Sequence, residues 1–147
     1  MWRKLIRNAA TNVVSALTGA TLEQLGHDEE AVRLVTEIAL EVGGLAARLR
    51  RSIDPELEQL IDVLKYAGPF ATSMLQDVRH GREPELAAIA EAPLELAAMV
   101  GHPMPTLRAA ATPWLSCRTT RMRAIASRMA PDRSVDPSST ATTSSGA

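Results

Sequence analysis

Aromatic side chains and cysteines are scarce in this chain of 147 residues. Phe, Trp and Tyr together make up 3% of it, whereas hydrophobic residues of all kinds make up 46%. A core must therefore be built from aliphatic side chains, and the shortage of strand-forming aromatic residues favours helices packed on helices. A single cysteine excludes an internal disulfide and a cysteine-based metal site, a pattern typical of a reducing compartment.

Strong net charge and long hydrophobic runs are missing as well. The formal net charge is -1, which gives no reason to expect nucleic acid or an anionic membrane as a partner. No apolar stretch approaches the roughly 20 residues that span a bilayer, and the first residues lead into an amphipathic run instead of a signal segment. We therefore expect a soluble, cytoplasmic protein. No glycine-rich phosphate-binding loop follows a predicted strand.

Apolar periodicity and capping signals predict a series of helices. They run from Trp2 to Leu17, Asp28 to Val42, Pro55 to Tyr66, Ala71 to His80, Pro84 to Val100 and Thr106 to Leu115. Asp28 and Asp54 are predicted as the N-cap residues of the second and third of these helices. Residues 21–27 are interpreted as a link and Pro93 as a kink. Gly43 and Gly44 are interpreted as weakening the second helix, with a shorter helical piece continuing toward Arg51. The prediction is an all-α helical bundle over residues 1–116, without strands.

Residues 117–147 differ in composition from the rest. A basic stretch is followed by a tail rich in Ser, Thr, Ala and Gly. Such a tail buries too little apolar surface to offset the entropy of ordering, so we predict disorder. Its arginines raise the alternative of a nucleic-acid contact, which the absence of interleaved aromatic residues disfavours. Cys117 has no evident partner and is interpreted as inert.

One polar row on the first helix needs an explanation. Lys4, Asn8 and Asn12 recur every four residues and so share one side of the helix. Asparagine is a poor helix-interior residue, and amides both donate and accept hydrogen bonds while lysine supplies charge or a proton. The row would suit a ligand that carries hydroxyl and carboxylate groups. On spacing alone, an ordinary solvated face is the favoured interpretation.

A second polar group lies between the predicted fourth and fifth helices. Ser73 and Gln76 form a capping-box pattern, and Glu85 directly follows Pro84. By pattern alone, helix caps and a surface turn are favoured over a binding role. The three histidines form no helical pair with one another or with an acidic residue, so no metal site is expected. Three methionines are interpreted as core residues: Met74, Met99 and Met104.

Together these segments resemble the signature of the ketopantoate reductase (2-dehydropantoate 2-reductase) C-terminal domain. The family motif W-x-K-L-x-x-N-x-x-x-N is matched from Trp2 to Asn12, and S-S-M-L-Q-D is matched at residues 72–77. The later H-G-V-P-T-P corresponds to residues 100–105. The resemblance covers about Trp2 to Leu115 and implies an all-helical domain like those of 6-phosphogluconate dehydrogenase-like enzymes.

The resemblance also implies roles for individual residues. Lys4 matches the catalytic lysine, a general acid toward the ketone oxygen, and Asn8, Asn12 and Ser73 match substrate-binding positions. Glu85 matches a glutamate that contacts the cofactor. The implied reaction is the NADPH-dependent reduction of 2-dehydropantoate, or a similar small 2-keto acid, to the hydroxy acid in pantothenate biosynthesis.

Departures from the family pattern set the remaining expectations. The family begins with a Rossmann domain carrying G-x-G-x-x-G, and the chain has no such motif. Thr72 replaces the first serine of the second motif, and Glu91 and Pro93 are unusual in the following helix. We therefore expect a truncated chain, inactive alone, that either acts with a separate Rossmann-domain chain or is a relic. The alternative is a non-catalytic helical interaction module that forms a homodimer.

Overall fold

The computed structural model describes residues 2–51 and 56–116, where it contains helices and no strand. The helices are α1 (Trp2–Thr18), α2 (Leu22–Gly26), α3 (Glu29–Arg48), α4 (Glu56–Tyr66), α5 (Ser73–Arg79), a π-helical segment (Ala87–Glu91), α6 (Ala92–Met99) and α7 (Pro105–Leu115). The all-α prediction is confirmed. The predicted start signal at Asp54 and the predicted disordered tail from Cys117 lie outside the described residues.

Helix α1 runs into the centre of the fold. Every residue from Ala9 to Ala16 is buried, whereas Arg3, Lys4 and Arg7 near the start are exposed. A helix that is buried on all sides must be surrounded, and α1 packs against α3, α5, α7 and the π-helical segment. Small residues such as Ala9, Ala10 and Ala16 let these neighbours approach closely. The first turns of α1 therefore remain accessible to solvent, whereas its buried later turns contact only other parts of the fold.

The predicted link at residues 21–27 is wrong, because it contains helix α2. Thr21 caps this helix with a complete capping box, in which the Gln24 backbone N–H donates to Thr21 Oγ1 and the Thr21 N–H donates to Gln24 Oε1 at 2.8 Å. These two reciprocal bonds satisfy donors that a short helix would otherwise leave open. Five residues are too few to show apolar periodicity, so only the capping pattern could have revealed the helix.

The predicted weakening of the second helix at Gly43 and Gly44 is also wrong, since α3 passes through both glycines without a break. The predicted helical continuation after them is confirmed as far as Arg48. Gly44 has a packing role instead. A Cβ atom there would stand 2.8 Å from Cε1 of His102, a contact that real Cβ atoms do not make. The His102 ring can therefore lie against α3, where its Nε2 is 2.8 Å from the carbonyl oxygen of Glu41.

Glu41 joins α3 to the start of α7. The backbone N–H groups of Thr106 and Leu107 donate to its Oε1 and Oε2 at 2.7 and 2.9 Å. Met104, the residue before α7, provides no side-chain cap. A carboxylate from another helix thus satisfies two open N–H groups and meets the positive end of the helix dipole.

Replacing Glu41 with alanine is expected to lower the free energy of unfolding by about 2 kcal/mol, because two charge-assisted hydrogen bonds disappear. Thermal unfolding followed by circular dichroism measures the effect. Glu37→Ala is the matched control, since Glu37 lies one turn earlier on α3 and is exposed. Equal losses from both variants would contradict a capping role for Glu41.

Pro93 is accommodated by a change of helix type. The Ala92 N–H donates to the Ala87 carbonyl five residues earlier, and the π-helical segment ends at Glu91, two residues before the proline. Wider turns of this kind relieve the clash between a proline ring and the carbonyl four residues before it. The sequence predicted a kink at Pro93, and the structure places the irregularity in the preceding turn.

The methionine prediction is partly wrong. Met74 and Met104 are buried, but Met99 is 82% exposed. The helical pattern could not reveal this, because the residues around Met99 on α6 are nearly all apolar. Within residues 2–51 and 56–116, no helix is long and apolar enough to cross a membrane. The same residues contain no cluster of His, Cys, Asp and Glu that could hold a metal ion.

Candidate functional site

Lys4 lies at a cavity between the first turns of α1 and helix α4. The cavity has a volume of about 300 Å³. Its lining residues are Arg3, Lys4, Ile6, Arg7, Gln59, Leu60 and Val63. Three cationic side chains therefore surround a space that is large enough for a small anion. In the part of the chain that the structure describes, the other four predicted site residues do not line this cavity.

The polar row on α1 passes from solvent into the fold. Lys4 is exposed, Asn8 is half-buried, and Asn12 is buried with 6% of its surface exposed. Because a helix rises about 1.5 Å per residue, eight residues place the α-carbons of Lys4 and Asn12 about 12 Å apart along the axis. The row is thus not the solvated face that spacing alone favoured, since its inner end is packed among core residues.

Among the described residues, Asn12 differs from the buried hydroxyl residues in lacking a hydrogen-bond partner, which the buried Trp114 Nε1 also lacks. Thr11, Ser15 and Thr72 each make a side-chain hydrogen bond. Among the described residues, the carboxamide of Asn12 makes none, although its polar atoms keep some contact with solvent. Because its polar atoms keep some contact with solvent, this amide is available to bind another group. Lys4, Asn8, Ser73 and Glu85 also make no side-chain hydrogen bond within these residues.

A chain of hydroxyl groups fixes the start of α5 against α1. The Leu75 N–H donates to Thr72 Oγ1, Thr72 Oγ1 donates to Ser15 Oγ at 3.1 Å, and Ser15 donates to the carbonyl of Ala20 at 2.6 Å. The Thr72 and Ser15 hydroxyls each accept one hydrogen bond and donate another, so neither hydroxyl hydrogen is left without an acceptor. Ser15 lies three residues after Asn12, and this link therefore brings the second motif against the inner end of the polar row.

The predicted N-cap at Ser73 is wrong, because Thr72 is the capping residue and Ser73 is the first residue of α5. The Thr72 hydroxyl occupies the cap position, which leaves the Ser73 side chain exposed and without an intramolecular partner among the described residues. Glu85 is likewise exposed, in the segment between α5 and the π-helical turns. Ser15 and Thr72 were missed as positioning residues. The pairing of a threonine and serine in the second motif was the available signal.

Asn12→Leu and Thr72→Val are expected to differ in their effect on stability. Leucine has the shape of asparagine, and no hydrogen bond is lost, so the free energy of unfolding should stay within about 1 kcal/mol. Valine at position 72 removes a helix cap and a buried hydrogen bond, which should cost about 1–3 kcal/mol. Chemical denaturation of both variants measures this. A large loss from Asn12→Leu would mean that the amide is structural.

The fold defines the chain as an all-helical type of domain, built around an N-terminal helix whose last turns are buried. The family model for "Ketopantoate reductase PanE/ApbA C terminal" matches residues 1–112. The chain therefore belongs to the ketopantoate reductase C-terminal domain family, and the resemblance inferred from the motifs is confirmed.

Two relatives support this assignment. A 2-dehydropantoate 2-reductase of Mesorhizobium japonicum is 35% identical over 109 residues, which cover 74% of this chain and 33% of the relative. A 2-dehydropantoate 2-reductase of a Nostoc species is 31% identical over 107 residues, covering 72% and 34%. The chain thus spans about a third of the length of the curated relatives it matches.

Solved structures agree on the fold. The 2-dehydropantoate 2-reductase of Geobacter metallireducens matches with a TM-score of 0.72 and 29% identity over 78% of this chain and 39% of that one. D-mandelate dehydrogenase in complex with NADH matches with a TM-score of 0.71 and 19% identity over 84% and 50%, which shows a common fold alone.

Proposed function

We propose that this chain supplies the substrate-binding half of an NADPH-dependent reductase of 2-dehydropantoate or a similar small 2-keto acid. The observation that carries the proposal is Asn12, a largely buried amide that has no hydrogen-bond partner among the described residues and lies in line with Asn8 and Lys4. Family membership supports the reaction class. The activity of a whole enzyme also needs residues outside the part that matches these relatives. We propose the cytoplasm as its compartment, as for a biosynthetic enzyme.

The side chains present suit such a substrate. Reduction of a ketone develops alkoxide charge on its oxygen, and the exposed ammonium of Lys4 would stabilise that charge and donate the proton. Asn8, Asn12 and Ser73 would hold the hydroxyl and carboxylate groups, because amides and hydroxyls donate and accept hydrogen bonds. Arg3 and Arg7 beside Lys4 add positive potential that favours an anionic keto acid.

NADPH would supply the hydride. The chain fits this cofactor in part: the exposed carboxylate of Glu85 is available for a contact, but the 147 residues hold no G-x-G-x-x-G loop for the pyrophosphate. We therefore propose that the cofactor is held mainly by a Rossmann-type partner, either another part of a longer protein or a separate chain. The 147 residues alone would then be inactive.

Two measurements on the 147-residue chain test the proposal. NADPH oxidation with 2-dehydropantoate should be absent, and pantoate should shift the side-chain amide NMR signals of Asn8 and Asn12. Asn12→Leu, which is expected to keep the fold, should lose the response to pantoate. Robust turnover by the chain alone would contradict the proposed dependence on a partner, and no shift at either amide would contradict the substrate site.

A helical dimerisation module is the second candidate. Tyr66 and Phe70 are 84% and 68% exposed, although aromatic side chains normally contribute to cores or interfaces. The Phe70 backbone is held in place, since its carbonyl accepts a hydrogen bond from the Leu22 N–H at 3.0 Å. Light scattering after size exclusion tests this candidate, with a Tyr66→Ser and Phe70→Ser double variant as the comparison. A monomer at high concentration would exclude it.

A further inference from the structure

The polar row on α1 offers partners to the polar groups of a small 2-keto acid but none to its carbon chain. Lysine, amide and hydroxyl side chains bind ketone, carboxylate and hydroxyl groups. The carbon beside the ketone of 2-dehydropantoate also carries two methyl groups, which bind by leaving water for an apolar surface. A site for such a substrate therefore needs aliphatic side chains close to the polar ones.

Helix α4 supplies such a surface at the cavity beside Lys4. Leu60 and Val63 line this cavity from α4, and Ile6 lines it from α1. Leu60 and Val63 are three residues apart and therefore lie on the same side of their helix. We call these two residues the aliphatic wall. The cavity thus combines cationic side chains of α1 with an apolar surface of α4.

The two residues of the aliphatic wall differ in exposure. Leu60 is 4% exposed and belongs to the core, whereas Val63 is 41% exposed. Leu60 therefore anchors the wall, and Val63 keeps apolar surface open to solvent at the cavity. An apolar group that removes this surface from water gains binding free energy in proportion to the area covered.

The aliphatic wall is held in place by the packing of α4 against α2 and α3. Gly26 on α2 allows a close approach, since a Cβ atom there would overlap the carbonyl oxygen of Leu64. Leu64 directly follows Val63 and is fully buried. A wall that is fixed in this way needs little ordering when a ligand binds, which favours affinity.

The size and polarity of the cavity suit a small anion with an aliphatic chain. Its volume of about 300 Å³ lies at the lower end of the range for small-molecule sites, roughly 300–1,000 Å³. Lys4 and Val63 both line this space. A molecule of that size with a ketone near one end and methyl groups on its chain would contact both side chains.

We propose that Val63 is a specificity-determining residue of the substrate site, which contacts the methyl groups of a branched 2-keto acid while Lys4 contacts the ketone oxygen. Leu60 and Ile6 complete the apolar surface. The substrate class is then a small 2-keto acid that is branched beside the ketone. This inference rests on the proposed function and adds a condition to it, because lysine and amides alone would bind an unbranched 2-keto acid equally well.

A matched pair of ligands tests the proposal on the 147-residue chain. Pantoate and 2,4-dihydroxybutanoate carry the same polar groups and differ only in the two methyl groups. Pantoate should bind on the order of tenfold more tightly, measured by NMR titration of the side-chain amides of Asn8 and Asn12. Its methyl protons should also give nuclear Overhauser effects to the methyl groups of Val63.

Val63→Thr should reduce the preference for pantoate to about threefold or less, because threonine keeps the shape of valine and replaces one methyl group with a hydroxyl. Affinity for 2,4-dihydroxybutanoate should change by less than about twofold, since that ligand has no methyl groups to lose contact. Val32→Thr is the matched control. Val32 is half-buried on α3 and is not a lining residue of this cavity, so the tenfold preference should persist.

The outcomes separate this inference from the proposed function. Equal affinity for the two ligands, with shifts at Asn8 and Asn12, would overturn the inference and leave the polar site standing. Equal preferences in Val63→Thr and Val32→Thr would overturn it as well. No response to either ligand would contradict the proposed function and this inference together.

Discussion

Replacing Lys4 with glutamine is expected to lower kcat by about 10²–10⁴-fold in an assembled enzyme. The amide keeps hydrogen-bonding capacity but supplies neither a positive charge nor an acidic proton to the developing alkoxide. A suitable enzyme is a chimaera in which residues 1–112 replace the matching third of the Mesorhizobium japonicum relative. NADPH oxidation with 2-dehydropantoate, followed at saturating substrate, gives kcat.

Arg7→Gln is the matched control for this experiment. Arg7 lies one turn after Lys4, is exposed and lines the same cavity, so the variant removes one positive charge from nearly the same place. A general electrostatic effect would lower kcat equally in both variants, whereas a general-acid role predicts that Arg7→Gln stays within about threefold of the parent. Comparable losses would assign Lys4 to substrate attraction instead of proton transfer.

Gly26→Ala is expected to lower the free energy of unfolding by about 3 kcal/mol, the largest stability effect of the substitutions considered. A Cβ atom at this position would overlap the carbonyl oxygen of Leu64 and lie 2.7 Å from its carbonyl carbon. These are backbone atoms of α4, so relief requires one of the two helices to move. Thermal unfolding should show a Tm lower by roughly 10–20 °C.

Gly101→Ala is the control for this prediction, because it introduces backbone strain without a close contact between atoms. Gly101 has φ of +64°, and a Cβ atom there would meet nothing within 4 Å. Only the left-handed conformation then disfavours alanine, at a cost of about 1 kcal/mol. Alanine normally stabilises where it fits, by reducing the entropy of the unfolded chain. An unchanged or higher Tm for Gly26→Ala would therefore contradict the observed packing of α2 on α4.

Predictions from the sequence were most accurate at positions where the residue type indicates a single structural role, such as a helix cap. Asp28 was predicted as an N-cap, and its side chain accepts a hydrogen bond from the Ala31 N–H. The capping box of α2 has the same kind of signal, but five residues give no periodicity to support it. The continuity of α3 through Gly44 could not be predicted, because it depends on His102, which is distant in sequence. Tertiary contacts decide such positions.

The site was predicted unevenly for a similar reason. Spacing placed Lys4, Asn8 and Asn12 on one side of α1, and the structure agrees with that placement. Spacing could not show that burial increases along the row, since burial depends on the helices around α1. Nor could it separate Thr72 from Ser73, because both suit a cap, and the choice depends on the Ser15 hydroxyl across the helix interface. Convergence of Ser73 and Glu85 with the row remains a prediction.

The carboxylate that begins α7 has a consequence for the order of assembly. Thr106 and its acceptor Glu41 are separated by 65 positions along the chain. A helix whose first turn depends on so remote a group gains stability only after the long central region has folded. During synthesis on the ribosome, the C-terminal helix α7 would therefore be the last part of this domain to fold. Until then the flank of α1 that α7 covers would be available to chaperones.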